Sequence, residues 1–297
     1  MPNNRIFYAS HGVSVNGTGV QGAQSVGVTT NFNLEQAFQL GQVALYDNIV
    51  VDPEVEVTVS KVLDGRDTIW KLATGGGTLI ANANDTASIV IAVGDDTAAT
   101  LTNTAGVTCT GMVISSLSYN FPVDGNFTEE VTFVGNSKSI TGTGSAPANS
   151  TATVLRRQHF LTGSTLPSEV SGKNITNITI NASLGRDTLY KLGQYAPYHR
   201  FVNFPLEVTC EFEVTPTGVD GVVCDPGSVS CTGGNLPAKQ PISIQLCDAD
   251  GASAQYTFNL GSNNRLQSVT YNGGDTGGGN VTTTFSYSTY NELDITG

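Results

Sequence analysis

The sequence predicts a mainly β protein built as two tandem β-sandwich or half-barrel units, each with a short helix. Three observations carry that expectation. The composition is one of strand and turn formers, with 34 glycines and abundant Thr, Ser, Asn and Val. An internal repeat keeps its register over an offset of about 152 residues. Alternating apolar and polar segments come in pairs separated by Gly, Asp and Asn. At 297 residues the chain suits two domains of about 150 residues each. Its Val, Ile, Leu and Phe content is enough to bury two cores, which excludes a disordered chain. The expected division is a first β domain over 1–140, a linker over 141–158 and a second β domain over 159–297.

The repeat is read from three matches in one order. Leu40-Gly41-Gln42, Tyr46, Val50 and Pro53 recur as Leu192-Gly193-Gln194, Tyr198, Val202 and Pro205. Ile114–Asn120 recurs as Leu266–Asn272, and Asn126-Phe127-Thr128 is answered by Asn280-Val281-Thr282. A competing match, Gly65–Leu72 against Gly185–Leu192, has a shorter spacing and cannot belong to the same alignment. It reads as a local device used twice, a turn leading into a short amphipathic turn of helix.

Taken in order, a strand is expected near Ala23–Phe32 and again at Asn174–Ser183. A short helix or irregular turn follows at Leu34–Leu40 and at Arg186–Leu192, because Leu34, Ala37, Phe38 and Leu40 fit one helical face. Pro53 and Pro205 mark strand entries, since proline belongs at strand starts. Strands follow near Glu54–Val62 and Leu206–Val214, and hairpins at Met112–Val134 and Leu266–Ser288. Leu63–Gly77 and Pro216–Pro241 read as loops over the surface or between subunits, and the Gly/Ser/Thr-rich Gly135–Ser150 as the linker.

The net charge of −12, with no Lys/Arg cluster beyond Arg156-Arg157, argues against a phosphate-binding face. No 18-residue apolar run is present, so no membrane partner is expected, and the N-terminus lacks the pattern of a signal peptide. The Asn-x-Ser/Thr sequons are then by-products of composition rather than glycosylation sites. His11, His159 and His199 have no metal-ligand spacing, and neither a nucleophile elbow nor a phosphate loop occurs. Asp95-Asp96 and Asp248-x-Asp250 lack the remaining ligands of a calcium loop. No catalytic residue, cofactor or metal is therefore expected, and the chain does not read as an enzyme. Among five cysteines, Cys224 and Cys231 bracket a Pro-Gly loop that could close a small disulfide, with free buried thiols as the other reading.

Three stretches, Asn4–Gly17, Gln24–Gly65 and Ser116–Asn136, resemble the tail tube (major tail) proteins of tailed bacteriophages. With their echoes they cover roughly half of the chain; a tandem duplication departs from the usual single-copy pattern. The resemblance implies tail-tube-like β domains that join into homo-oligomeric rings, stack into a hollow tube around a tape-measure protein and form the conduit for genome ejection. Partners would be the chain itself, as a pseudo-sixfold trimer or a hexamer, with tail sheath, tail terminator and baseplate proteins. DNA would pass the lumen without specific binding, in a virion assembled in the host bacterial cytoplasm. Edge strands poor in guarding lysines suit such assembly. Contacts between subunits or rings are expected from Arg5, Phe7, Tyr8, Phe38, Tyr46, Asp52, Tyr190 and Tyr198, within the N-terminal arm and the segments Asn31–Val51 and Ser183–Val202. A single-ring baseplate hub and a β-sandwich adhesin or carbohydrate-binding protein are the alternative functions.

Overall fold

The computed structural model describes residues 11–94, 103–140, 152–161, 163–216, 238–248, 253–273 and 280–297. The first half runs β1 (His11–Val15), β2 (Thr18–Gly19), β3 (Ala23–Asn31), β4 (Leu34–Phe38), β5 (Leu45–Val50) and β6 (Glu54–Val62). Helices α1 (Ile69–Thr74) and α2 (Leu79–Asn82) follow, then β7 (Ala87–Gly94), β8 (Asn103–Pro122), β9 (Thr128–Gly135) and β10 (Ser137–Ile140). After a 3-10 turn at Arg157–His159 come β11 (Asn174–Ser183), β12 (Arg186–Leu189), β13 (His199–Val202) and β14 (Glu207–Thr215). The chain ends with β15 (Ser243–Cys247), β16 (Ala254–Asn259), β17 (Arg265–Asn272), β18 (Thr282–Tyr290) and β19 (Asp294–Thr296).

Eight strands form one continuous antiparallel layer in the order β3-β6-β9-β8-β11-β14-β18-β17. The second four pair in the same relative order as the first four, and β8 and β11 join the two sets. Local geometry corresponds as well. A bulge interrupts β8 between Ile114 and Ser116, and another interrupts β17 between Leu266 and Ser268, the matching position of the repeat.

β8 is long enough to serve two layers. Its second half lies between β9 and β11, while its first half pairs with β7 and β10 in a layer with β1 and β2. Gly111, at φ +64, sits where the strand passes from one layer to the other, a backbone angle that residues with a Cβ adopt at a cost. The small sheet β15-β16-β19 covers the same buried face: Phe258 lies 4.6 Å from Tyr119 and 5.2 Å from Phe121, ring centre to ring centre. The buried residues of both halves form one cluster.

Two expectations are corrected. Leu34–Leu40 and Arg186–Leu192 are not helical: β4 pairs with β5, and β12 with β13, as two-stranded hairpin arms. The reason is turn chemistry. Gly41 and Gly193 both take φ +86, and Gln42 N–H bonds the Gln39 carbonyl as Gln194 N–H bonds that of Lys191. The helix-like spacing of apolar residues did not reflect burial, because that face of the first arm is exposed. Among the described residues both α-helices lie instead in the first half, within or just after Leu63–Gly77. That segment is not a surface loop, since Leu63, Ile69 and Trp70 are buried.

α1 is held by a buried carboxylate. Thr68 caps its N-terminus, and Gly75 closes its C-terminus at φ +71. Glu129 on β9 accepts hydrogen bonds from Ile69 N–H (2.7 Å), Trp70 N–H (3.1 Å) and the Tyr119 hydroxyl (2.9 Å). Its cross-strand partner is Lys61, also buried, which bonds the Asp67 carbonyl at 2.9 Å and pairs with Asp64 at 3.4 Å. Burial pushes the Glu129 carboxyl above its ordinary value, opposed by the charge of Lys61 and by its three donors.

Glu129→Ala should leave those donors unpaired in the core and cost about 3–5 kcal/mol of unfolding free energy, measured by urea titration. Because the folded state releases the proton later than the unfolded chain, Glu129 contributes less stability as pH rises from its ordinary 4.5 through the raised value. The wild-type advantage over Glu129→Gln should therefore shrink as pH rises above the ordinary 4.5.

Candidate assembly interface

The continuous layer ends in two strands that each pair on one side only among the described residues, β3 and β17. Neither carries the usual guards of an edge: β3 reads AQSVGVTTN with no charge and no proline, and β17 has only Arg265 at its start. Their apolar side chains are incompletely covered. Val269 is 37% and Tyr271 48% exposed, whereas their repeat counterparts in β8, Leu117 and Tyr119, are 2% and 0% exposed under β11 and the small sheet.

On the opposite side of the layer the side chains are polar. Cross-strand bonds link Ser118 to Asn181 (2.7 Å), Asn120 to Thr179 (3.3 Å), Thr58 to Thr132 (3.4 Å) and Ser286 to Glu211 (3.4 Å). The ionisable groups on that side are Glu54, Glu56, Glu130, Glu207, Glu211 and Glu213, with Arg265 opposite Ser288 at the start of β17. Within the paired register of β6, β9 and β14, no lysine or arginine joins them on that side.

The arms differ in what covers them. The β12-β13 arm is seated on the first half. Arg186 donates to the carbonyls of Ile114 (2.8 Å) and Ala83 (2.6 Å), and Val202 N–H bonds the Asn84 side chain at 2.9 Å. The Tyr195 hydroxyl donates to the carbonyls of Val51 (2.6 Å) and Val50 (3.0 Å). Tyr190 reaches Asp52 at 3.4 Å, and Arg200 pairs with Glu54 at 3.2 Å and bonds Asn136. Burial, and the neighbouring Arg200 charge, bring the Arg186 guanidinium down to about 10, so it stays charged at neutral pH. Among the described residues the β4-β5 arm has no comparable set of side-chain bonds beyond Tyr195 at Val50, and Phe38 and Tyr46 are 66% and 69% exposed; the tips of both arms stand clear, Leu40 at 102% and Leu192 at 104%.

Of the residues the sequence singled out, Phe38 and Tyr46 stand on the uncovered arm, while Tyr190 and Tyr198 stand on the seated one. Asp52 is buried and takes its hydrogen bonds from Asn136 and Tyr190 of its own chain. Arg5, Phe7, Tyr8, Cys224 and Cys231 lie outside the described residues, as do Asp95, Asp96 and Asp250. Cys109, Cys210 and Cys247 are free and buried. Sequence reading passed over Val269, Tyr271, Arg186, Tyr195, Arg200 and Phe204. The repeat alignment held the signal for Arg186, Tyr195, Arg200 and Phe204, whose counterparts are Leu34, Val43, Asn48 and Asp52, whereas the exposure of Val269 and Tyr271 is legible only in the structure.

No group of three or more metal-ligating side chains occurs among the described residues. No helix among them is long and apolar enough to cross a membrane. A mainly apolar cavity of about 740 Å³ lies between the start of β11 and the end of β8, lined by Phe121, Phe127, Phe160, Leu166 and Ile175 among others.

Removing the arm's main anchor tests the seat. Arg186→Met should lower stability by about 1–3 kcal/mol and speed amide exchange across His199–Val202 without changing the far-ultraviolet circular dichroism. A scan against protein-family models found no matching family, and a search of curated proteins found no significant match.

Proposed function

We propose that the chain is a structural subunit whose two halves are copies of one unit, and that subunits close edge to edge into rings that stack as a hollow tube. The observation that carries this reading is the correspondence between the inner junction and the free edges. β8 joins β11 inside the chain. In the repeat, β17 is the second-half counterpart of β8, and β3 is the first-half counterpart of β11. Both are unpaired on the side that β8 and β11 use. The β17 edge of one chain is thus matched to the β3 edge of the next by the same pairing that already holds the halves together.

The register follows from the inner junction. Asn181 opposite Ser118 and Ile180 opposite Tyr119 translate to Thr29 opposite Thr270 and Val28 opposite Tyr271 of the next chain. That pairing would cover Tyr271 and Val269, as β11 helps to cover Tyr119 and Leu117. Head-to-tail contacts of this kind either close into rings or run on without end. The resemblance to phage tail tubes favours closure into a pseudo-sixfold trimer, with a ring of six chains as the alternative. In that ring the polar, glutamate-bearing side of the layer faces the lumen, where a polyanion would slide without adhering. The accompanying proposals are a virion location, a tape-measure partner in the lumen, and the sheath, terminator and baseplate proteins at its outer surface and ends.

The test combines light scattering, negative-stain electron microscopy and a paired substitution, Thr29→Cys with Thr270→Cys. Oxidation should yield a ladder of covalently linked chains whose highest rung counts the subunits of the ring, and micrographs should show rings or tubes with an open centre. A chain that remains monomeric at every concentration and gives no ladder beyond wild type overturns the proposal.

A further inference from the structure

The uncovered β4-β5 arm is the feature that the edge pairing leaves unexplained. We infer that this arm is a clasp that lies across the second half of the preceding chain, with Phe38 seated on that chain's Phe204. The inference rests on the ring reading above and adds to it a second contact with its own side-chain chemistry.

β12-β13 follows β11, the strand at the inner junction, and reaches back over the half to which β11 is joined; Tyr190 on the arm meets Asp52 at the entry to β6. β4-β5 follows β3 in the same way, with the same turn and the same φ at its tip glycine. If β3 pairs with the β17 edge of another chain, its arm reaches back over that chain's second half, as β12-β13 reaches back over the first.

The residues that would then meet have changed together. The position of Tyr190 is held by Phe38 in the first arm, and the position of Asp52 is held by Phe204 in the second half. The inner contact is a hydroxyl on a carboxylate at 3.4 Å, and the outer one would be a ring on a ring. Either change alone would spoil the contact, since a phenylalanine facing Asp52, or a tyrosine hydroxyl facing an apolar ring, leaves a polar group without its partner.

Both phenylalanines are exposed in the single chain, Phe38 at 66% and Phe204 at 48%. So is Tyr290 at 54%; it follows Thr289, the register counterpart of Gly135, and so holds the place of Asn136, which bonds Asp52 and Arg200 in the inner seat. Arg186, the polar anchor of the seated arm, likewise has Leu34 as its counterpart, 58% exposed. The outer seat thus presents an aromatic ring where the inner seat presents a carboxylate. That difference keeps each arm to its own site: the Tyr190 hydroxyl would find Phe204 in place of Asp52 on the outer seat, and Phe38 would leave Asp52 without that hydroxyl on the inner one.

The experiment transplants the inner pair into the outer seat. Phe204→Asp should raise the concentration needed for ring assembly by roughly tenfold or more, read by light scattering, with unchanged circular dichroism because the site is exposed. Adding Phe38→Tyr to Phe204→Asp should recover most of that loss, while Phe38→Tyr alone should weaken assembly. The oxidised Thr29→Cys/Thr270→Cys chain reports on the edge pairing independently. Undiminished assembly of Phe204→Asp, with the edge ladder intact, overturns the clasp and leaves the ring reading standing. Loss in Phe204→Asp without recovery in the double variant also overturns the Phe38–Phe204 pairing. Absence of the edge ladder with no assembly in wild type overturns both readings together.

Discussion

Backbone pairing between β8 and β11 is the constraint on which the rest of the molecule depends. It turns two four-stranded sets into one eight-stranded layer and fixes, residue by residue, where every apolar side chain of the second half faces relative to the first. A slip of one residue would turn Ile178, Ile180 and Ala182 out of the core and their polar neighbours Thr179 and Asn181 into it. The layer also cannot end cleanly. An open antiparallel sheet leaves unpaired N–H and C=O groups at both ends, and the sequences of β3 and β17 do nothing to discourage a neighbour.

Around that layer, burial is uneven in an informative way. The inner face is sealed by aromatic packing, with Tyr119, Phe121 and Phe258 in mutual contact, and by the Glu129 network that ties α1 to the sheet. Among the described residues, most of the large exposed apolar side chains are instead on the two arms, on the β17 edge or beside Pro205. A hydrophobic surface of this extent on one arm is uncommon for a chain meant to stay single. The proposed ring accounts for these exposures with one operation, repetition of the inner junction between chains.

The inner seat and the proposed outer one would let two like halves specialise their contacts. Inside one chain, Arg200 meets Glu54, Tyr190 meets Asp52 and Arg186 meets the Ile114 and Ala83 carbonyls at fixed geometry, with every partner delivered by the same polypeptide. Charge pairs of that kind lose part of their worth to desolvation unless each partner is fully bonded. Between chains, apolar side chains suit a contact that has to form repeatedly and in one direction.

The sequence by itself determined the mainly β class, the strand positions at Ala23–Asn31, Asn174–Ser183 and Glu54–Val62, and the hairpins at Met112–Val134 and Leu266–Ser288. Those are legible because period-two alternation and turn residues are local properties of the chain. The tertiary structure decided the rest. Gly-Arg-Asp-Thr followed by an apolar residue, an aromatic, Lys and Leu occurs twice; at Gly65 it leads into α1, while at Gly185 it becomes β12. The difference lies far away in sequence. In the first case the buried Glu129 takes the amides of Ile69 and Trp70, whereas in the second Arg186 is drawn to the carbonyls of Ile114 and Ala83. Local propensity differs little between the two segments, so partners 60 and 72 residues away choose the conformation. Which arm is seated, and which edges stay open, is decided in the same way, by pairing that no local stretch of sequence contains.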